Sequence, residues 1–213
     1  MGLAIAFTFL SYGFHATPWG HHVNEGAVEW PPSPWRLVRA IAAGRARSEP
    51  LLDREGLGRW LRPLLAAPSY WVPEASAAHS RHYMPGKSGP DLVLDTFVTV
   101  ARKQPLLVMW PTDAADLPGL PAALELVPYL GRSQSWVAAE LAEAREPNVA
   151  PAFEYPGLDD RGRELELVRL LAPDPDRADD AVRGLLLTTT EVHDRRLPVP
   201  PGSRWVEYAR PPL

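Results

Sequence analysis

Two segments decide how the chain is read: LAIAFTFLSYGF over Leu3–Phe14 and SPWRLVRAIAAGRAR over Ser33–Arg47. The first is rich in β-branched and aromatic residues and too continuously apolar for one helix face, so it predicts a buried strand. The second opens with Ser33 as N-cap and Pro34 at the first helical position, where a fixed φ and a missing N–H do no harm, so it predicts a helix. Leu37, Val38, Ile41 and Ala42 fall on one face of that helix, with Arg36 and Arg39 elsewhere.

Working outward, Leu92–Ala101 and Leu106–Trp110 read as two strands, joined through residues 102–105 as a hairpin. Pro118–Tyr129 reads as a second helix, stopped before Gly131, and Ser135–Leu141 as a further strand, although the Ala-rich Val137–Ala144 reads equally as helix. The order strand, helix, strand, strand, helix, strand is that of an α+β, ferredoxin-like (RRM-like) βαββαβ domain, whose sheet has one face covered by helices and the other free. Residues 1–147 are assigned to this domain. An irregular insertion at about 50–91 holds a short helix near Arg54–Leu65 and a strand-like Ser69–Val72, and residues 148–213 form a C-terminal extension with a Pro-rich end.

The chain has 213 residues, 46% of them hydrophobic, which suits one globular domain with an appendage. It contains no cysteine, so disulfide scaffolds and thiolate metal sites are excluded and a reducing compartment fits. The Leu3–Phe14 run has no basic residue before it, the first being Arg36, and the opening Met-Gly has Ala6 where a myristoylation signal carries Ser or Thr. A cytoplasmic protein without a membrane span is expected. Net charge is −4, but residues 1–110 carry 11 Lys and Arg against 8 Asp and Glu, whereas residues 111–213 carry 11 against 18. A basic front half suits an anionic partner and an acidic back half suits protein or solvent.

Between strand and helix, residues 15–40 read HATPWGHHVNEGAVEWPPSPWRLVRA, with three histidines, three tryptophans and four prolines. A metal site from His15, His21, His22, Glu25 and Glu29, with His79 and His82, lacks any HExxH-like spacing, so neither metal nor cofactor is expected. No GxSxG motif is present. A metal-independent ribonuclease needs only an imidazole or phenol near a 2′-hydroxyl and a cation on the phosphate, and His15, Tyr12, His82, Tyr83 and Lys87 supply those types. RNA binding without chemistry needs cations along a backbone and rings for splayed bases. Trp19, His21, His22, Trp30 and Trp35 with Arg36 and Arg39 offer both, as do Arg81-His82-Tyr83 with Lys87, and Arg132-Ser133 beside Trp136. The plainer alternatives stand beside these: Trp30 and Trp35 as packed core, Arg36 and Arg39 as a solvated face, and His15 as a group satisfying a backbone carbonyl.

The run at residues 15–40, RHYMP at 81–85 and YLGRSQSWV at 129–137, in this order and at these distances, resemble the type I-U (or I-G) CRISPR-associated family that joins a Cas-five-type subunit to a Cas-six-type endonuclease. The PPGSRWVEYARP end is similar more loosely. The resemblance implies a RAMP-superfamily protein that caps the 5′ handle of the crRNA in a Cascade complex. Its implied neighbours are a Cas-seven-type backbone subunit, a Cas-eight-type large subunit and a separate Cas-six-type nuclease, and it meets target DNA through the complex. The matching positions are His15, Trp19, His22, Asn24, Glu25, Trp30, Pro34, Trp35 and Arg36, then Arg81, His82, Tyr83 and Met84, then Gly131, Arg132 and Ser133. The fused form is longer, and this sequence is expected to carry the Cas-five-type part alone, as a binder rather than an enzyme. The RNA-binding set expected is His15, Trp19, His22, Arg36, Arg39, Arg81, His82, Tyr83, Lys87, Arg132 and Ser133. The alternative, pre-crRNA cleavage, would use His15, His82 and Tyr83.

Overall fold

The computed structural model describes residues 2–11, 13–86, 89–101, 103–152 and 157–213. In chain order the elements are β1 (Leu3–Phe9), β2 (Gly13–Phe14), α1 (Pro34–Ser48), α2 (Arg54–Leu61), β3 (Ser69–Trp71), β4 (Ala75–Gly86), β5 (Gly89–Val100), β6 (Leu106–Trp110), α3 (Leu120–Glu125), β7 (Val137–Leu141), β8 (Ala150–Pro151), β9 (Glu166–Pro173), α4 (Ala178–Leu185), α5 (Thr189–Asp194) and β10 (Ser203–Arg210). The central sheet has the order β3-β6-β1-β7, every pair antiparallel. With α1 between β1 and β3 and α3 between β6 and β7, this is the ferredoxin-like βαββαβ arrangement. A second sheet, β2-β5-β4, and a third, β8-β10-β9, are added to it.

The expected strand assignment needs correction in three places. The Leu92–Ala101/Leu106–Trp110 hairpin does not form: β5 pairs with β4 from Ala75↔Val100 to Gly86↔Gly89, while β6 lies between β1 and β3. All five residues of β6 are buried, which only a central strand allows, whereas β4 is exposed along most of its length. The second core strand is therefore Ser69–Trp71, a segment that the sequence assigns to the insertion. Leu3–Phe14 is also two elements, since β1 ends at Phe9 and Gly13 joins the second sheet opposite Thr99. A Cβ on Gly13 would lie 2.0 Å from the Val98 carbonyl oxygen, so this crossing requires glycine.

Helix α1 packs Leu37, Val38 and Ile41 into the core, and Gly44 lets it approach α3 so closely that a Cβ would lie 2.1 Å from the Ala123 carbonyl oxygen. Ser33 is its N-cap, but the Ser33 side chain makes no cap bond; the Ser33 N–H donates instead to the Glu29 carboxylate at 2.9 Å. The second helix is shorter than expected, Leu120–Glu125. The other face of the central sheet is not free either. Ala4, Ala6, Leu107 and Met109 project there and are all buried, so its centre offers no stacking platform.

Residues 148–213 pack on the same core. The Tyr70 N–H donates to the Val149 carbonyl at 2.7 Å, and the Asn148 amide bonds both the N–H and C=O of Val72, at 2.7 and 2.9 Å. Tyr208 from β10 meets Tyr70 edge-on at 5.4 Å, and their hydroxyls donate to the carbonyls of Pro68 and Pro32. Burial pushes both phenols above their ordinary range.

Candidate nucleic-acid interface

The loop between β2 and α1 builds one wall of a groove, and α1 supplies its floor. Glu29 is 3% exposed and receives the Ser33 N–H together with Arg36, whose Nε donates at 2.8 Å and Nη2 at 3.2 Å to the two carboxylate oxygens. Arg36 also donates to the Thr17 carbonyl at 3.3 Å, so the pair ties loop to helix. Burial alone would push the Arg36 guanidinium down; contact with Glu29 outweighs it and holds the group above its ordinary value.

One turn on, Arg39 donates to the Leu187 carbonyl at 2.7 Å and has no carboxylate partner among the described residues. Burial first, and then the neighbouring Arg36 charge, push it below the usual arginine range. Arg47 continues the same side of α1 and donates to the Leu126 carbonyl at 3.1 Å. Arg132 closes the far end, bonded to Asp95 and to Thr17 Oγ1 at 3.3 Å. These groups line a groove of about 850 Å³ with Trp19, Tyr129 and residues Val192, Leu197 and Pro198 of the C-terminal segment. Its four arginines face two carboxylates, Glu29 and the Asp95 that meets Arg132, so it is net cationic. Trp35 lines it as well, and its buried Nε1–H has no partner among the described residues. A cationic, half-apolar channel of this size accommodates a phosphate-bearing strand and a base.

The second candidate surface is the β4/β5 ribbon. Directly opposed residues share a face, which puts Arg81 and Tyr83 with Leu94 and Leu92 on one side, and His82 and Met84 with Val93 on the other. The first face descends to the loop before α1, where Thr96 Oγ1 donates to the Ala27 carbonyl and the Leu94 N–H to Asn24 Oδ1. The second descends to Asp95 and Phe97, against which His15 stacks at 4.8 Å. Tyr83 is 68% exposed and Met84 57%. Arg81 has no ion pair among the described residues.

The expected residues thus divide. Trp19, Arg36, Arg39 and Arg132 come together in the groove, while Arg81, His82 and Tyr83 stand on the ribbon. His15 is pinned: its N–H donates to Ser135 Oγ at 2.8 Å, its carbonyl accepts from the Arg132 N–H, and Nδ1 sits 3.3 Å from the Asp95 carboxylate with no hydrogen bond among the described residues. His82 lies opposite Val93, four residues from the Phe97 that carries His15, so roughly 13 Å of strand separates the two imidazoles. One acid-base pair cannot be made from them. His22 caps a short 3-10 turn, accepting the Asn24 N–H at 3.3 Å. Ser133 is exposed, and it is Ser135 that is buried in the site. Tyr12 and Lys87 lie outside the described residues. His21 and Glu25 pair with each other at 2.7 Å, and among the described residues no three His, Asp or Glu side chains converge as a metal site. Trp30 packs against Phe9 and Phe14 in the core. Sequence reasoning missed Arg47 and Tyr129; positions 36, 39, 43 and 47 share a helical face and would have drawn Arg47 in.

The fold has a solved counterpart. A crystal structure from Archaeoglobus fulgidus, described as that of a CRISPR protein, superposes over 100% of this chain and 86% of that chain, with a TM-score of 0.51 at 11% sequence identity. At that identity the likeness concerns the fold and no single residue. No family model matches the sequence, and no curated protein matches it. No helix among the described residues is long and apolar enough to cross a membrane.

Proposed function

We propose that this protein is a crRNA-binding subunit of a type I-U/I-G CRISPR Cascade complex, capping the 5′ handle and contacting Cas-seven-type and Cas-eight-type subunits. The carrying observation is the groove in which Arg36, Arg39, Arg47 and Arg132 converge with Trp19 and Tyr129, adjoining a ribbon that presents Arg81 and Tyr83. The CRISPR association of a protein with the same fold supports this reading, as do the three sequence motifs, all of which border these two surfaces. Cations on the groove floor would hold backbone phosphates, and exposed rings would stack splayed bases.

Arg47 and Arg81 have no carboxylate partners among the described residues, so they can be removed without stranding a buried charge. The Arg47→Ala/Arg81→Ala variant should bind single-stranded RNA more weakly, and its log affinity should fall less steeply with log salt, by about 0.7 in slope for each lost phosphate contact. An unchanged slope takes these residues off the RNA surface. Incubating the protein with repeat RNA in EDTA tests the nuclease alternative. Discrete cleavage that His15→Ala or His82→Ala abolishes would replace the binding reading.

A further inference from the structure

The segment after α4 lines one side of the groove with Val192, Leu197 and Pro198. Both of its ends are fixed: Leu187 is buried and its carbonyl accepts from Arg39, while Pro200 is buried and its carbonyl takes the N–H and hydroxyl of Ser203. Between them, the segment is folded upon itself. The Glu191 carboxylate accepts from the N–H and hydroxyl of Thr188, at 2.7 and 2.9 Å, and the Leu197 N–H donates to the Val192 carbonyl. Arg196 turns it at φ 52°, a left-handed conformation unfavourable for a residue with a Cβ.

Its hold on the groove is slight by comparison. Val192 is its buried apolar pin, with Leu197 half-buried beside it and Val199 packed against the core at its end, and the Pro198 carbonyl accepts from Trp19 Nε1 at 2.8 Å. Thr190 and residues 194–196 are exposed, and Pro198 is exposed apart from that carbonyl bond. A unit with local internal bonds, anchored ends and few apolar contacts between them opens at lower free energy than the core beneath it. In place, it engages the indole N–H of Trp19 and walls the groove that Arg36 and Arg39 also line.

We propose that Thr188–Val199 is a flap that narrows the groove in the free protein and swings out when an RNA strand enters, so that flap opening sets the apparent affinity of the groove. This rests on the reading of the groove as an RNA site. A fixed wall would have the same closed contacts, and the two differ in what RNA does to Val192.

The chain has no cysteine, so Val192→Cys places a single thiol, nearly isosteric with valine, at the buried pin. Its reaction with a maleimide should be slow in the free protein and faster when a fluorescein-labelled single-stranded RNA is bound. Val192→Asp should release the flap and tighten the same RNA about tenfold, the factor by which a site open in roughly one molecule in ten is weakened. RNA that binds but leaves the thiol protected, or binds Val192→Asp no more tightly than the parent, overturns the flap and keeps the RNA reading. Absence of RNA binding by every variant in anisotropy titrations overturns both. If Val192→Asp does not fold, the thiol measurement decides alone.

Discussion

The groove and the ribbon present the same kinds of side chain in opposite physical states. In the groove, Arg36 is locked by a buried carboxylate, Arg132 by Asp95, and Arg39 by a carbonyl. On the ribbon, Arg81 and Tyr83 project into solvent on two strands that bury little. Cations held in place lose little freedom when they meet a ligand, whereas exposed ones adapt to it. The groove is therefore part of the folding problem and the ribbon is not, and substitutions should separate the two.

The largest effect should come from Glu29→Ala. It strands the Arg36 guanidinium and the Ser33 N–H at the entry to α1 and should destabilise the protein by about 3 kcal/mol, measured by urea unfolding. A loss below about 1 kcal/mol would mean that the pair is not what holds loop to helix. Next, replacing residues 81–94 by Asn-Gly joins Ser80 to Asp95, which already lie opposite one another, through a two-residue turn. RNA affinity should fall at least about tenfold, while stability moves by less than about 1 kcal/mol, because the removed side chains are mostly exposed. A large stability loss would erase the contrast between the two surfaces. Smallest, Tyr83→Ala should leave unfolding within about 0.5 kcal/mol of the parent and cost about 1 kcal/mol in RNA binding, the low end for a base stacked on an aromatic ring. Equal affinity would remove Tyr83 from the interface.

How much of this was readable beforehand follows from the range of the interactions involved. The order of strands and helices is local and was legible, since β1, α1, β6 and β7 each carry their own pattern of apolar residues. The partner of each strand was not. β5 and β6 are neighbours in sequence with a short link, which argues for a hairpin, but the burial of all five β6 residues assigns it to the centre beside β1. Ser69–Trp71 was too short to announce itself as core, and its place is secured by Tyr70, whose hydroxyl reaches Pro32. In the site, Arg36, Arg39 and Arg132 were nominated from residue type. Asp95 and Glu29, which position them, were legible only through distances across 37 and 7 residues of chain.

Both strands of the ribbon come free of the body at one neck, just beyond the Leu94 N–H that donates to Asn24 Oδ1 at 3.2 Å opposite Arg81. Its length is consequently free to vary without disturbing anything below that bond. Adding two residues to each strand would extend its reach by about 7 Å and return every side chain to its original face. Adding one to each would carry Tyr83 to the opposite face and bring His82 to the side it left. The neck makes reach a quantity that changes in even steps, and makes the parity of the insertion, more than its composition, decide which chemistry faces outward.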